Sequence, residues 1–204
     1  QENIAKLGPA TWEAIHRVIV AYAAARGIEK GRTVRIDTTA VETDIHHPLD
    51  SLLLADGIRL ITRLLDEGKT LSPQPAYLFS DHNRVAKRLV LAIKDAKKEK
   101  AREAAYRKLL SYAERVRGYA LCAIAELSGW DASDVPQVFK ARLVVERLER
   151  AVNILEKVID QTHRRVVKGE KVPASEKVVS FFEEHTDIIV KDRRETVYGH
   201  KVCL

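Results

Sequence analysis

The spacing of apolar residues divides the chain into helical and extended stretches. Residues 10–26, "ATWEAIHRVIVAYAAAR", place Trp12, Ile15, Ile19 and Tyr22 at helical intervals, and Gly27 stands where such a helix stops. From Thr33 to Thr43 the pattern changes. Val34, Ile36 and Val41 among several threonines give the β-branched enrichment of a strand, and Pro48 comes after it. Between Asp50 and Glu67 the apolar positions Leu53, Leu54, Ile58, Ile61 and Leu65 return to helical spacing, closed by Gly68. "LSPQPA", 71–76, is predicted as a loop because its prolines interrupt any period.

Two long helical tracts come next. Residues 81–128 contain no proline and a single glycine, Gly118; unbroken, at about 1.5 Å per residue, they would reach roughly 70 Å. "SGWDASD", 128–134, supplies a glycine stop and then Ser133 or Asp134 as a cap, and Pro136 suits the first turn of a second tract reaching residue 168. Together these predict an αα-hairpin, folded back on the domain or projecting as an arm. After Gly169, "EKVVSFF", "HTDIIV" and "ETVYGHKVCL" read as strands. The order helix, strand, helices, strands predicts an α+β fold. Its single sheet reunites 34–43 with 176–204 across a helical insertion at 49–170.

Composition adds a direction. The 204 residues carry a net charge of +6 and a pI near 9.3, which leans toward a polyanionic partner. Much of that charge is local: between Lys87 and Arg117 eleven basic residues face four acidic ones, a net +7. Such a strip can neutralise phosphates, giving affinity that does not depend on base sequence. The alternative is a solvated helix face with i,i+4 pairs. "HRRVVKGEK", 163–171, and "KDRR", 191–194, add further basic groups, but no aromatic residues are interleaved as a stacking platform. Two distant cysteines, Cys122 and Cys203, suit a reducing compartment. No apolar run is long enough to span a bilayer, so the expected location is the cytoplasm, without membrane contact. The chain holds no Met and ends in the apolar run "YGHKVCL", which reads as a fragment cut at both ends.

The sharpest candidate for chemistry is Asp37, in "RIDTTAVETDIHHP". Flanked by Ile36 and Val34, it reads as a carboxylate on a buried strand, best tolerated beside a cation or metal ion. Hard cations such as Mg²⁺ take carboxylate oxygens, and two-metal sites draw them from several segments. The alternative is a strand-end Asp facing water or closing a turn. Glu42, Asp44, His46 and His47 form a second cluster. Adjacent histidines on a strand point to opposite faces, which argues against a shared metal, while Glu42 or Asp44 could support Asp37. A glycine-rich phosphate loop, a G-x-S-x-G elbow, a C-x-x-C pair and an H-E-x-x-H helix are all absent from the sequence.

The stretch "VRIDTTAVETDIHHPLDSLLLADGIRLITRLL", 34–65, resembles DDE transposases of bacterial insertion sequences, particularly the ISNCY-type group. Their pattern is an Asp-Thr-Thr strand, then V-E-T-N-I-H-Y-P-T-D-S, then L-L-x-D-G-V-R. "DQTHRRVVKGEKVPASEKVVSFFEEHTDIIVKDRRETVYGHKV", 160–202, resembles the same family's segment leading into the second strand of the catalytic core. Departures from the pattern are Asp44 in place of Asn, His47 in place of Tyr and Leu49 in place of Thr.

The resemblance implies a partial RNase H-like sheet, in which Asp37 is the first of three carboxylates holding Mg²⁺ (or Mn²⁺) for DNA cleavage and strand transfer. The second Asp and the final Glu are expected beyond Leu204, so the fragment alone is expected to be inactive. Implied partners are double-stranded DNA at the element's termini and a second copy of the chain in a homodimer or larger assembly; bound to DNA, the protein would be nucleoid-associated. Non-catalytic DNA binding or assembly and a metal-dependent nuclease of the same fold are the alternatives. The candidate DNA-contact residues are Lys87, Arg88, Lys94, Lys97, Lys98, Arg102, Arg107 and Lys108. The expected organisation is the end of a truncated helical region at 1–31, the first catalytic strand at 32–48, the helical insertion at 49–170 and further strands at 171–204. In such an incomplete sheet the strand at 196–204 is expected at an unpaired edge.

Overall fold

Helix α1, Pro9–Ala25, matches the first apolar period, with Pro9 in the opening turn where its missing N–H costs nothing. The computed structural model describes residues 8–28, 38–71, 74–130, 135–190 and 196–203. Helix α1 belongs to one compact unit and Ala40–Lys201 to another, which holds the candidate site.

The second unit is built around α2, Asp50–Lys69. Leu53, Leu54, Ile58, Ile61, Leu64 and Leu65 are all essentially buried on it, and it packs against α3 (Asn83–Asp95), α4 (Glu99–Ser128) and α5 (Val135–Thr162). Leu109, Val116 and Ala120 of α4 and Val144, Leu148, Leu155 and Val158 of α5 complete the core. Fully burying each large aliphatic side chain contributes about 1.5–3 kcal/mol, so this seam dominates the stability of the unit. Gly57 permits a close approach within the bundle: a Cβ there would lie 2.7 Å from Phe181 and 2.8 Å from Leu155.

The predicted pairing of the two helical tracts is present as α4 against α5, folded back on the domain, and α2 and α3 join them in a four-helix bundle. The tract from residue 81 to 128 does not run unbroken, because Ala96 leaves the helix with ψ 112° and Lys98 precedes α4 with ψ 133°. Neither glycine nor proline marks the break. The short connection lets α3 fold back onto α4 rather than extend as an arm.

Helix α5 ends in a π-helical turn, His163–Val167, closed by Gly169 at φ 68°. The wider turn is visible in its bonds: Lys168 N donates to His163 O and Glu170 N to Arg164 O.

Three strands form one small sheet in the order β1–β3–β2, with β1 at Thr38–Glu42, β2 at Asp187–Ile189 and β3 at Val197–Cys203. Strand β2 pairs antiparallel with β3, Ile188 opposite Tyr198. Thr43 N donates to Tyr198 O at 3.0 Å, while Gly199 lies against Val41 and Glu42, so β1 also runs antiparallel to β3. One sheet thus joins segments on either side of the helices, as the sequence order predicted.

Three details differ from expectation. The C-terminal strand is the central one, not an edge, because β1 and β2 flank it. The outer position of β1 leaves Thr38, Thr39, Val41 and Glu42 exposed, Val41 at 49%, so the described part of that strand is not buried. Finally, 176–182 is not a strand. After a 3₁₀ turn at Ala174–Glu176 the chain runs irregularly, with Val179 and Phe181 buried. Its β-branched and aromatic residues mimic a strand, but a side chain, Gln161, bonds both backbone groups of Val178 in place of a neighbouring strand.

Candidate functional site

Asp37, the predicted metal ligand, lies outside the described residues. In the second predicted cluster, Glu42 and Asp44 are exposed, so neither is placed as a buried support for an adjacent carboxylate. The two histidines diverge: His46 Nε2 lies 3.4 Å from Asp56 Oδ2 on α2, while the His47 ring meets Tyr198 of β3 edge-on at 5.9 Å. Among the described residues, no group of three His, Cys, Asp or Glu side chains is placed to hold a metal ion.

Asp56 was not singled out by the sequence. Burial pushes its carboxyl above the ordinary range, and this outweighs the opposing pull of Arg59, 2.9 Å away, and of His46. Its Oδ2 accepts no hydrogen bond despite the nearby imidazole. The strand end thus leans on α2 through a partly desolvated carboxylate.

A second junction was also invisible in the sequence. Asp50 opens α2 and is 5% exposed. Its Oδ1 accepts from Gln161 Nε2 at 3.0 Å and its Oδ2 from Arg165 Nη1 at 2.7 Å. Gln161 also accepts from Val178 N at 2.9 Å and donates to Val178 O at 3.3 Å. The carboxylate is thereby satisfied from both sides, the condition under which a buried charge is tolerated. These bonds tie α2, the end of α5 and the chain leading to β2 at one point. Only a carboxylate at a helix start and a basic pair in the π-helical turn hinted at it, and residues 111 positions apart give no local pattern.

The basic strip is realised at one end of the bundle. Lys94, Lys97, Lys98 and Arg102 gather around the α3–α4 connection, with Lys87 and Arg88 on α3 and Arg107 and Lys108 on α4. All eight are exposed. Two are engaged: Arg107 pairs with Glu103 at 2.7 Å, and Arg102 Nη2 donates to Ala96 O at 3.0 Å. The other six form no ion pair among the described residues. The basic groups predicted at 163–171 are less available. Arg164 bonds Glu170 and Glu176, at 3.0 and 2.7 Å, and Arg165 bonds Asp50. The basic run 191–194 lies outside the described residues.

No described helix is long and apolar enough to cross a membrane. No protein-family model, curated protein or solved structure matches the chain.

Proposed function

We propose that this chain is part of a DDE-type DNA transposase, with Asp37 as one of three carboxylates and the other two beyond Leu204. The observation that carries the reading is the bonding between the two stretches that resemble the family. Residues 34–65 and 160–202 are far apart in sequence, yet Thr43 bonds Tyr198 and Asp50 bonds both Gln161 and Arg165. A helical insertion between the first strand and its sheet neighbour is the arrangement the resemblance requires. With Mg²⁺ or Mn²⁺ bound, the complete carboxylate set promotes attack of water or a 3′-hydroxyl on a DNA phosphodiester. The described residues do not by themselves form a metal site. The unpaired cations at the α3–α4 end suit the phosphates of double-stranded DNA at the element's termini, held by two or more copies of the protein.

The test uses the protein extended past Leu204, as wild type and as Asp37→Asn. Duplexes carrying the element's ends are assayed separately for Mg²⁺-dependent cleavage and for end joining. Loss of both in the variant, with DNA affinity retained, supports the reading; cleavage without joining supports a nuclease. Undiminished cleavage by the variant refutes the role of Asp37.

One observation favours a second reading, a non-catalytic DNA-binding or assembly module. The described part of β1 is an exposed outer strand, whereas a metal-binding first strand is expected within the sheet. That reading predicts DNA binding by the extended protein and no cleavage with either metal.

A further inference from the structure

Between the start of α2, the π-helical turn and the β2–β3 pair lies a cavity of about 300 Å³. Arg165, Lys177, His47, Tyr198 and Tyr106 of α4 are among its lining residues. Asp50 is the acidic residue among its lining groups, and two donors already satisfy it. The balance of fixed charge is therefore positive. Arg165 spends one of its five N–H donors on Asp50, and the Lys177 ammonium has no ion-pair partner among the described residues. Burial pushes the Tyr106 phenol up, and the Ser51 side chain hydrogen-bonds its hydroxyl.

We propose that this cavity binds a phosphate group. Donors on an arginine, a lysine and tyrosines converge from separate elements, which suits an oxyanion that accepts in several directions. Asp50 acts as the positioning residue: it fixes the guanidinium of Arg165, leaving the remaining N–H groups to the ligand. The volume accommodates a phosphate with part of an attached sugar. The same chemistry is offered by a phosphorylated DNA end, a mononucleotide and free phosphate. The inference stands on this geometry and does not depend on a catalytic role for Asp37.

Calorimetric titration of inorganic phosphate at fixed ionic strength tests it, using wild type, Lys177→Gln and Lys140→Gln. Lys177 is only half-buried and without an ion pair, so its variant is expected to fold as wild type does, checked by its melting temperature. Wild type is expected to show saturable binding. Lys177→Gln weakens it about tenfold or more, as loss of a charge-assisted hydrogen bond requires, and Lys140→Gln, exposed on α5 away from the cavity, leaves it unchanged. A mononucleotide 5′-phosphate, and a short single strand with and without a 5′-phosphate, identify the source. A preference for the phosphorylated strand that Lys177→Gln abolishes points to a DNA end; binding of phosphate and mononucleotide alone points to a small ligand. Equal phosphate affinity in wild type and Lys177→Gln, or no saturable uptake by wild type, overturns the proposal.

Discussion

Replacing Gln161 by methionine tests whether the Asp50 junction holds the second unit together. Methionine keeps the length and approximate volume of the side chain but removes its donor and acceptor. Three bonds disappear: one to the Asp50 carboxylate at 3.0 Å and two to Val178, at 2.9 and 3.3 Å. The bond to the charged, 5%-exposed Asp50 is worth about 1.5–3 kcal/mol. The two Val178 groups belong to a half-buried residue, so water recovers part of their loss, and together they add about 1 kcal/mol. Arg165 still pairs with Asp50, which prevents the larger cost of an isolated buried charge. The expected destabilisation is roughly 2.5–4 kcal/mol, a large share of the 5–15 kcal/mol typical of a domain. It should lower the melting temperature by about 10 °C. Urea unfolding monitored by circular dichroism measures it directly. A change below about 1 kcal/mol would mean that the hydrogen bonds make no net contribution, and the junction would be only a contact.

Gly199→Ala should separate β1 from β3, because its Cβ would strike the backbone of Val41 and Glu42; a loss of more than about 2 kcal/mol is expected. Gly118→Ala, in open space on α4, should instead stabilise by about 0.5–1 kcal/mol, and equal effects of the two would refute the close approach. Asp56 has a raised folded pKa, so the stability it contributes is full below its unfolded value and is lost as pH rises through the folded one. Asp56→Asn should therefore melt higher than wild type at neutral pH and converge with it in acid; a lower melting temperature at pH 7 would show that pairing with Arg59 and His46 outweighs burial. In duplex DNA binding, neutralising Lys94, Lys97 and Lys98 together should reduce the slope of log affinity against log salt by roughly 2.7, at about 0.9 per phosphate contact. Arg107→Gln should change it less because Arg107 is held by Glu103; an unchanged slope in the triple variant would remove the strip from the interface.

Elements with a strong local period were legible in the sequence. The apolar repeat of Leu53, Leu54, Ile58, Ile61 and Leu65 specified α2, and the β-branched run specified a strand where β1 is found. The break at Ala96–Lys98 was not, because neither glycine nor proline marks it. The β-branched and aromatic residues of "EKVVSFF" read as a strand but could not reveal that the backbone partner is an amide side chain. Arg165 looked like surface charge because its acidic partner, Asp50, lies 115 positions away. Asp50 and Asp56 gain their character from burial against distant segments, which no pattern of neighbours encodes.

The short passage from Glu42 to Asp50 gives the anchored start of α2 a mechanical meaning. Clamped by Gln161 and Arg165, that helix end has little freedom to drift, and only residues 43–49 separate it from the first strand. Strain applied to the bundle therefore has little slack in which to dissipate before it tugs on the sheet.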